Sequence, residues 1–392
     1  MSEEELVESE EEAPARVKKR LRWIDQARGF IMFYLVLTIA FPSDWAKSFT
    51  DPTGTWINYV LHFLFDHAPT SGTYMTLFDV GAAAFIFVLG LTMPISYKKR
   101  KAKDGKGAAV KHIVIRYLVL SALGLLIMLV NNIELVEEKS GFLILSWDVV
   151  PAIAAAGWIT FLVLVLVDDA KMRLIIGYAI AILYQILMNY AGLKDYALNS
   201  IHGGVFGGFL GYGSISIVSS AIGDYMFFSE SDDNKKYQNM LLIGIANLVI
   251  GLLIAYFVSG WEANKRQVSF THNLISIGVS LIGLWVFTLI DRKADKDLTY
   301  FRAYGMNPFF VYFIVEIPDL LISEIVGSSL GIDPTWVGPV ILTVVYLTYT
   351  SIIMLRLHKK GKIISTEKAA LLMLIVSAIL FVLIMLFFPE IL

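Results

Sequence analysis

Along this chain, long apolar runs alternate with short polar stretches, many of them basic. A membrane span needs roughly 20 apolar residues at a rise of about 1.5 Å each. Eleven stretches meet or approach that length: about 25–42, 73–97, 111–131, 144–167, 172–191, 203–228, 238–259, 271–290, 303–320, 337–356 and 366–388. The pattern predicts an all-α polytopic membrane protein with about 11 transmembrane helices. One segment has a different character. Trp56-Ile-Asn-Tyr-Val-Leu-His-Phe-Leu-Phe65 has apolar residues at 56, 57, 60, 61, 64 and 65, a helical spacing on a stretch too short to span. It predicts a helix lying in the membrane interface, with Trp45, Trp56 and Tyr59 as aromatic anchors. His67 leaves the end of that helix.

The basic residues orient the spans. One alternating set of connecting segments holds 24 Lys and Arg, seven of them in Lys98–Lys111, and the other set holds only Lys47, Lys139, Lys194, Lys265 and Arg266. Basic loops stay on the cytoplasmic side, which predicts a cytoplasmic N-terminus, an odd number of spans and a C-terminus outside. Seven glutamates among residues 2–12 stand where a signal peptide has its basic region. They predict a disordered cytoplasmic tail over 1–20, followed by one transmembrane domain over 21–392.

Composition narrows the function classes. Hydrophobic residues make up 57% of the chain and mean hydropathy is +0.67, which excludes an ordinary soluble enzyme. The net charge of −2 offers nothing to nucleic acid. With no cysteine, disulfides, thiolate nucleophiles and Cys-bound metals are excluded. The expected setting is a multi-pass protein of a prokaryotic plasma membrane, with the lipid bilayer as partner; a homo-oligomer is compatible with it.

Candidate chemistry gathers around His67 and Asp79. Ionisable groups inside a span are costly and usually mark a pathway or a reaction centre. His62, His67, His202 and His272 fall at outer ends of spans or in outer loops, near Asp66, Asp79 and Asp148. A histidine beside a carboxylate suits general-base work, because the carboxylate fixes the tautomer. No His-x-x-x-His or His-Glu-x-x-His spacing occurs, so no metal site is expected. Asp148, Trp147 and His272 are candidates for holding an acceptor, although interfacial anchoring also explains Trp147. At inner ends, Arg28, Arg116 and Asn307 are candidates for an anionic cosubstrate; for Arg28 the alternative is a snorkelling positive-inside residue. Gly203, Gly207 and Gly211, four apart, read better as close helix packing than as a phosphate nest.

The motifs Arg22-x-x-Asp25-x-x-Arg28-Gly29, His67-Ala-Pro, Thr76-x-x-Asp79, Phe85-Ile-Phe87-x-x-Gly90, Trp147-Asp148-Val149-x-x-x-Ile153 and Gly305-Met-Asn307 resemble the heparan-α-glucosaminide N-acetyltransferase-like family of transmembrane acyltransferases. The resemblance implies transfer of an acetyl group from cytoplasmic acetyl-CoA to an amino sugar, or another saccharide or glycolipid acceptor, on the far side. It implies His67 as base or acyl carrier, oriented by Asp79 or Asp66. Asp79 stands two residues further from the histidine than in that family, which counts against direct pairing. The alternative reading is a transporter or flippase for a glycan or lipid intermediate.

Overall fold

The computed structural model describes residues 22–37, 56–68, 74–131, 147–200, 202–315 and 337–365, with a few positions between 368 and 379. Among them every regular element is helical. We label these α1 (22–37), α2 (Trp56–Phe65), α3 (Leu77–Asn131), α4 (Val149–Leu166), α5 (Ala170–Tyr190), α6 (Leu193–Asn199), α7 (Gly204–Phe228), α8 (Asp233–Phe257), α9 (Phe270–Arg292), α10 (Thr299–Met306), α11 (308–315) and α12 (Val337–Lys359). Six are long and apolar enough to cross a membrane: α3, α4, α5, α7, α8 and α9. The chain is therefore a helical membrane protein.

The expected count of eleven spans is not what the described residues show. Stretches 73–97 and 111–131 belong to one helix, α3, with a break at Gly105 (φ 86°, ψ 165°). A straight helix of 55 residues would be about 80 Å long, well beyond a hydrocarbon core of about 30 Å. The break, ringed by the exposed residues 101–108, makes α3 two limbs. The 303–320 stretch is interrupted at Asn307, where α10 ends. Only 22–37 of the first stretch is described, and 366–388 lies almost wholly outside the described residues, as do the 1–20 tail, both termini and Trp45. The short helix expected over 56–65 is present as α2, with Trp56 and Tyr59 well exposed.

The chain forms two compact units, Ser43–Ile282 with Ser365–Leu392, and Met1–Pro42 with Gly283–Ile364. In the first, carboxylates start the helices. Asp148 accepts from Val149 N (2.5 Å), Asp169 from Lys171 N (2.7 Å) and Asp232 from Asn234 N (2.9 Å), each satisfying an amide that has no partner within its own helix. Small residues then let backbones approach, as expected where lipid supplies no hydrophobic drive. Gly90 of α3 lies against Ser216 and Ser219 of α7, and Gly223 of α7 against Leu91 O. Gly157 of α4 sits under the Tyr117 ring, where Trp158 Nε1 also donates to Ser121 Oγ at 3.0 Å. Gly244 and Gly251 of α8 meet Leu281 and Ile275 of α9.

Contacts near their first turns put the starts of α3, α4, α7 and α9 at one end of the unit: Asp79 O lies 3.4 Å from His272 Nε2, Asn273 donates to Gly211 O at 3.0 Å, and Gly208 lies against Trp147. At the other end Asp224 of α7 pairs with Lys98 (2.7 Å) and with buried Arg173 of α5. His67 and the Lys98–Lys111 segment are thus at opposite ends of the first limb of α3.

In the second unit, α1 lies on α10. A Cβ on Gly29 would fall 1.6 Å from Phe301 O, and one on Gly305 would fall 1.7 Å from Asp25 O. Arg22 pairs with Asp291 and Asp295, and Tyr304 OH meets Thr350 and Ser351 of α12 (both 2.9 Å). Because backbone atoms occupy the missing side chains' space, Gly305→Ala should lower stability by about 1–3 kcal/mol through overpacking. Gly283→Ala, where nothing lies within 4 Å, should leave stability unchanged or raised by helix propensity. Thermal unfolding of both variants in detergent checks the contrast.

Candidate active site

His67 and Ala68 lie against the first turn of α3. Asp79, in the first turn of α3, is 2% exposed, and its carboxylate accepts four hydrogen bonds. His67 Nδ1–H donates to Oδ1 at 2.8 Å. Ala68 N (3.1 Å), Thr76 N (3.0 Å) and Thr76 Oγ1 (3.0 Å) donate to Oδ2. A buried carboxylate is tolerable only with such a full set of donors. The expectation that spacing would keep His67 and Asp79 apart is overturned. Both ends of the intervening segment bond the carboxylate, so sequence distance does not measure their separation.

His67 itself is 44% exposed. Its ring stacks on Phe78, with centroids 4.2 Å apart and planes 26° from parallel. With Nδ1–H given to Asp79, Nε2 keeps its lone pair. Facing it is Lys265, from the turn between α8 and α9, with Nζ 3.0 Å from Nε2 and 3.3 Å from Nδ1. Nζ also lies 5.5 Å from the Phe78 ring centroid. Burial lowers the Lys265 pKa to about 8, against the upward pull of Asp79 and Asp148.

Behind this pair lies a second layer. His272 of α9 places Nε2 3.4 Å from Asp79 O and Nδ1 3.1 Å from Asn273 Oδ1. Asn273 donates to Gly211 O (3.0 Å) and Ser214 Oγ (3.1 Å) of α7. Gly207–Tyr212 is π-helical, a local irregularity that often accompanies functional sites. It sets Tyr212 between two histidines: the OH is 2.9 Å from His202 Nδ1, and the ring meets His272 edge-on at 6.1 Å. Burial, then the positive charge of Lys265, holds the His202 pKa well below the ordinary histidine value. The glycines serve close packing, but mainly against residues that flank helices: Cβ atoms on Gly207, Gly208 and Gly211 would strike His202 O, the Trp147 indole and Val268.

The other sequence candidates are distributed as follows. Asp66 accepts from the His67 backbone N (2.7 Å) and lies 3.3 Å from His62 Nδ1; it orders the loop, while Asp79 orients the imidazole. Asp148 caps α4, its pKa raised by burial and moderated by the Val149 N–H and Lys265. Trp147 packs on Gly208. Arg28 is bound by Asp25 (2.5 Å) and Gly305 O (2.7 Å), and Asn307 by Lys362 O (3.2 Å) and Ile364 N (2.7 Å), all within the other unit. Arg116, on the second limb of α3, has a buried Nε with no acceptor among the described residues. No cluster of three metal-ligating side chains occurs among the described residues.

Sequence reasoning missed Lys265, Phe78 and Tyr212. The one signal for Lys265 was its rarity, as one of five basic residues on the sparsely charged side.

A cavity of about 770 Å³ adjoins the site, lined by Phe63, Tyr74, Thr76, Leu252, Phe257 and Ile275 among others. Thr76 belongs to both, walling the cavity and binding Asp79. Tyr74 OH at the wall is 3.1 Å from His62 Nε2.

At pH 8 about half of Lys265 would be neutral, against under about 1% of an ordinary lysine. Brief acetylation at that pH, mapped by peptide mass spectrometry, should modify Lys265 ahead of exposed Lys103. Equal rates would contradict the assigned environment.

No curated protein matches the chain. The family model of GWT1 matches residues 68–307, a span that takes in Asp79, Asp148, Lys265 and His272. That match overturns the resemblance to the heparan-α-glucosaminide N-acetyltransferase-like family. Two of the motifs behind the resemblance, around Arg28–Gly29 and Gly305–Asn307, serve the packing of α1 on α10 in this fold. With more than half of its length matched, the chain belongs to the GWT1 family, whose members are membrane acyltransferases.

Proposed function

We propose that this protein transfers an acyl group from an acyl-CoA thioester to a hydroxyl of a lipid-linked glycan acceptor, at the membrane face opposite the Lys98–Lys111 segment, with His67 as general base. The observation that carries the proposal is the His67–Asp79 pair. A buried, fully bonded carboxylate holds Nδ1–H, and Nε2 on a half-exposed ring is left to take a proton. The acceptor oxygen attacks the thioester carbonyl as Nε2 removes its proton. The imidazolium then returns the proton to the departing CoA sulfur.

Further observations support this choice of acceptor and donor. The GWT1 family acts as inositol acyltransferase in GPI biosynthesis, which favours O-acylation of a glycolipid over N-acetylation of a free amino sugar. The cavity beside Thr76 supports a longer chain than acetyl: its walls are mostly apolar, and its volume of about 770 Å³ is in the range of sites that enclose whole small ligands. At the basic end, the orphaned Nε of Arg116 supports a contact to CoA phosphates. Between the ends, Ser276 and Ser280 on one face of α9 have buried hydroxyls with no partner among the described residues, which supports a polar route for the amide-bearing arm of CoA.

In nanodiscs with long-chain acyl-CoA and a glycolipid acceptor, His67→Ala and Asp79→Asn should each lower kcat by about 10²–10⁴-fold with the protein still folded. Activity within twofold of wild type would end the assignment. Ala255→Trp, which narrows the cavity, should shift preference from long towards short acyl chains by about tenfold or more, read from kcat/KM across a chain-length series.

A further inference from the structure

The turn from Val258 to Ser269 joins the cavity to the catalytic pair. Its first half walls the cavity through Val258, Ser259, Glu262 and Ala263. Its second half is held from several sides. Asn264 Oδ1 accepts from Gln267 N (3.0 Å), Asn264 N donates to Ser269 Oγ (3.0 Å), Ser269 Oγ donates to Glu262 O (2.9 Å), and Tyr184 OH of α5 binds Gln267 O (3.0 Å). Val268 is fully buried at φ 52°, a conformation that is strained for a β-branched residue and persists only where the surroundings enforce it. Here the enforcing neighbour is the π-helical turn, with Gly211 against the Val268 side chain. The product of all this is the placement of one side chain, Lys265.

Among the described residues no carboxylate is within ion-pair distance of Lys265 Nζ; its close polar contacts are the two ring nitrogens of His67. A lysine kept for surface charge or for a structural ion pair would not need a strained, cross-braced turn to aim it at a base. On the reading of His67 given above, we infer that Lys265 is a further catalytic residue, whose ammonium holds the oxyanion of the tetrahedral intermediate. Without substrate, Nζ takes the place of the acceptor hydroxyl at Nε2. When the hydroxyl arrives it displaces Nζ by a short swing towards the carbonyl oxygen, which shares one carbon with the attacking oxygen. The C–O bond forms as the carbonyl electron pair moves onto that oxygen, and the ammonium donates to it. Collapse re-forms the carbonyl, breaks the C–S bond and sends the electron pair to sulfur, which takes the proton from His67. Lys265 keeps its own proton throughout.

That role fixes the sign of the pH dependence. The groups facing Lys265 are His67 from the segment before α3, Asp79 of α3, Asp148 at α4, His202 beside α7, His272 of α9 and Arg266 on its own turn. With burial holding Lys265 to about 8, the ammonium is present below that pH and lost above it, so kcat should fall as pH rises through about 8. A lysine acting as general base would give a rise over the same range. Lys265→Arg, always protonated, should keep most of kcat and abolish the alkaline fall. Lys265→Met should lower kcat by about 10²–10³-fold while KM changes little.

The experiment is the pH profile of acyl transfer for wild type, Lys265→Arg, Lys265→Met and His67→Ala in nanodiscs. A wild-type kcat that is flat or rises through pH 8, an unchanged alkaline fall in Lys265→Arg, or Lys265→Met within twofold of wild type overturns the inference. If the methionine variant does not fold, the wild-type and arginine profiles still decide it. Loss of activity in His67→Ala alone would leave the base assignment standing without Lys265. Full activity in His67→Ala would fail the underlying reading instead.

Discussion

A carboxylate buried at the start of a membrane helix must be given donors, and the site is arranged around how Asp79 obtains them. Thr76 supplies two from the turn below, Ala68 a third from the returning chain, and His67 the fourth from its ring. Each bond that makes the buried charge tolerable also fixes part of the site. The loop closes, the imidazole takes one tautomer, and Nε2 is left facing outward. Stability and chemistry rest here on the same oxygens.

The helices that bring partners to this carboxylate are aligned by small residues and by an irregular turn. Gly90, Ser216 and Ser219 hold α3 against α7, and Asn273 fastens α9 to Gly211 and Ser214. The π-helical stretch then serves two purposes. It sets Tyr212 between His202 and His272, and it backs Val268 in the strained turn that carries Lys265. The apolar cavity shares Thr76 with the Asp79 network and Val258–Ala263 with the Lys265 turn. A hydrocarbon chain lying there would therefore touch the supports of both proposed catalytic groups.

Much of this was legible in the sequence wherever the controlling physics is local. Apolar run lengths gave the helical membrane class, the 3.6-residue pattern gave α2, and the cost of burying charge singled out His67 and Asp79. The glycines of α7 do allow close packing, though their tightest neighbours are His202 O, Trp147 and Val268 rather than a facing helix. What depended on chain reversal was not legible. The spacing between His67 and Asp79 counted against direct pairing because nothing local shows that Ala68 and Thr76 both turn onto one carboxylate. Lys265 is almost 200 residues from its partner and meets it only because α9 starts beside α3. Nor did the sequence show that Arg28 and Asn307, polar residues at helix mouths, have internal partners in Gly305 O, Asp25 and the 362–364 backbone. The same short motifs pointed to a different acyltransferase family, whereas the match over residues 68–307 places the chain in the GWT1 family.

Everything in this site converges on acyl transfer at His67 Nε2. It is tested most directly by an electron cryo-microscopy structure in nanodiscs with a non-transferable thioether analogue of a long-chain acyl-CoA. The account predicts the carbon that stands for the reacting carbonyl within about 3–3.5 Å of a hydroxyl-sized position on Nε2, with the chain in the cavity bounded by Thr76, Leu252 and Ile275. Density placing that carbon at the Lys98–Asp224–Arg173 end, away from His67, would contradict it.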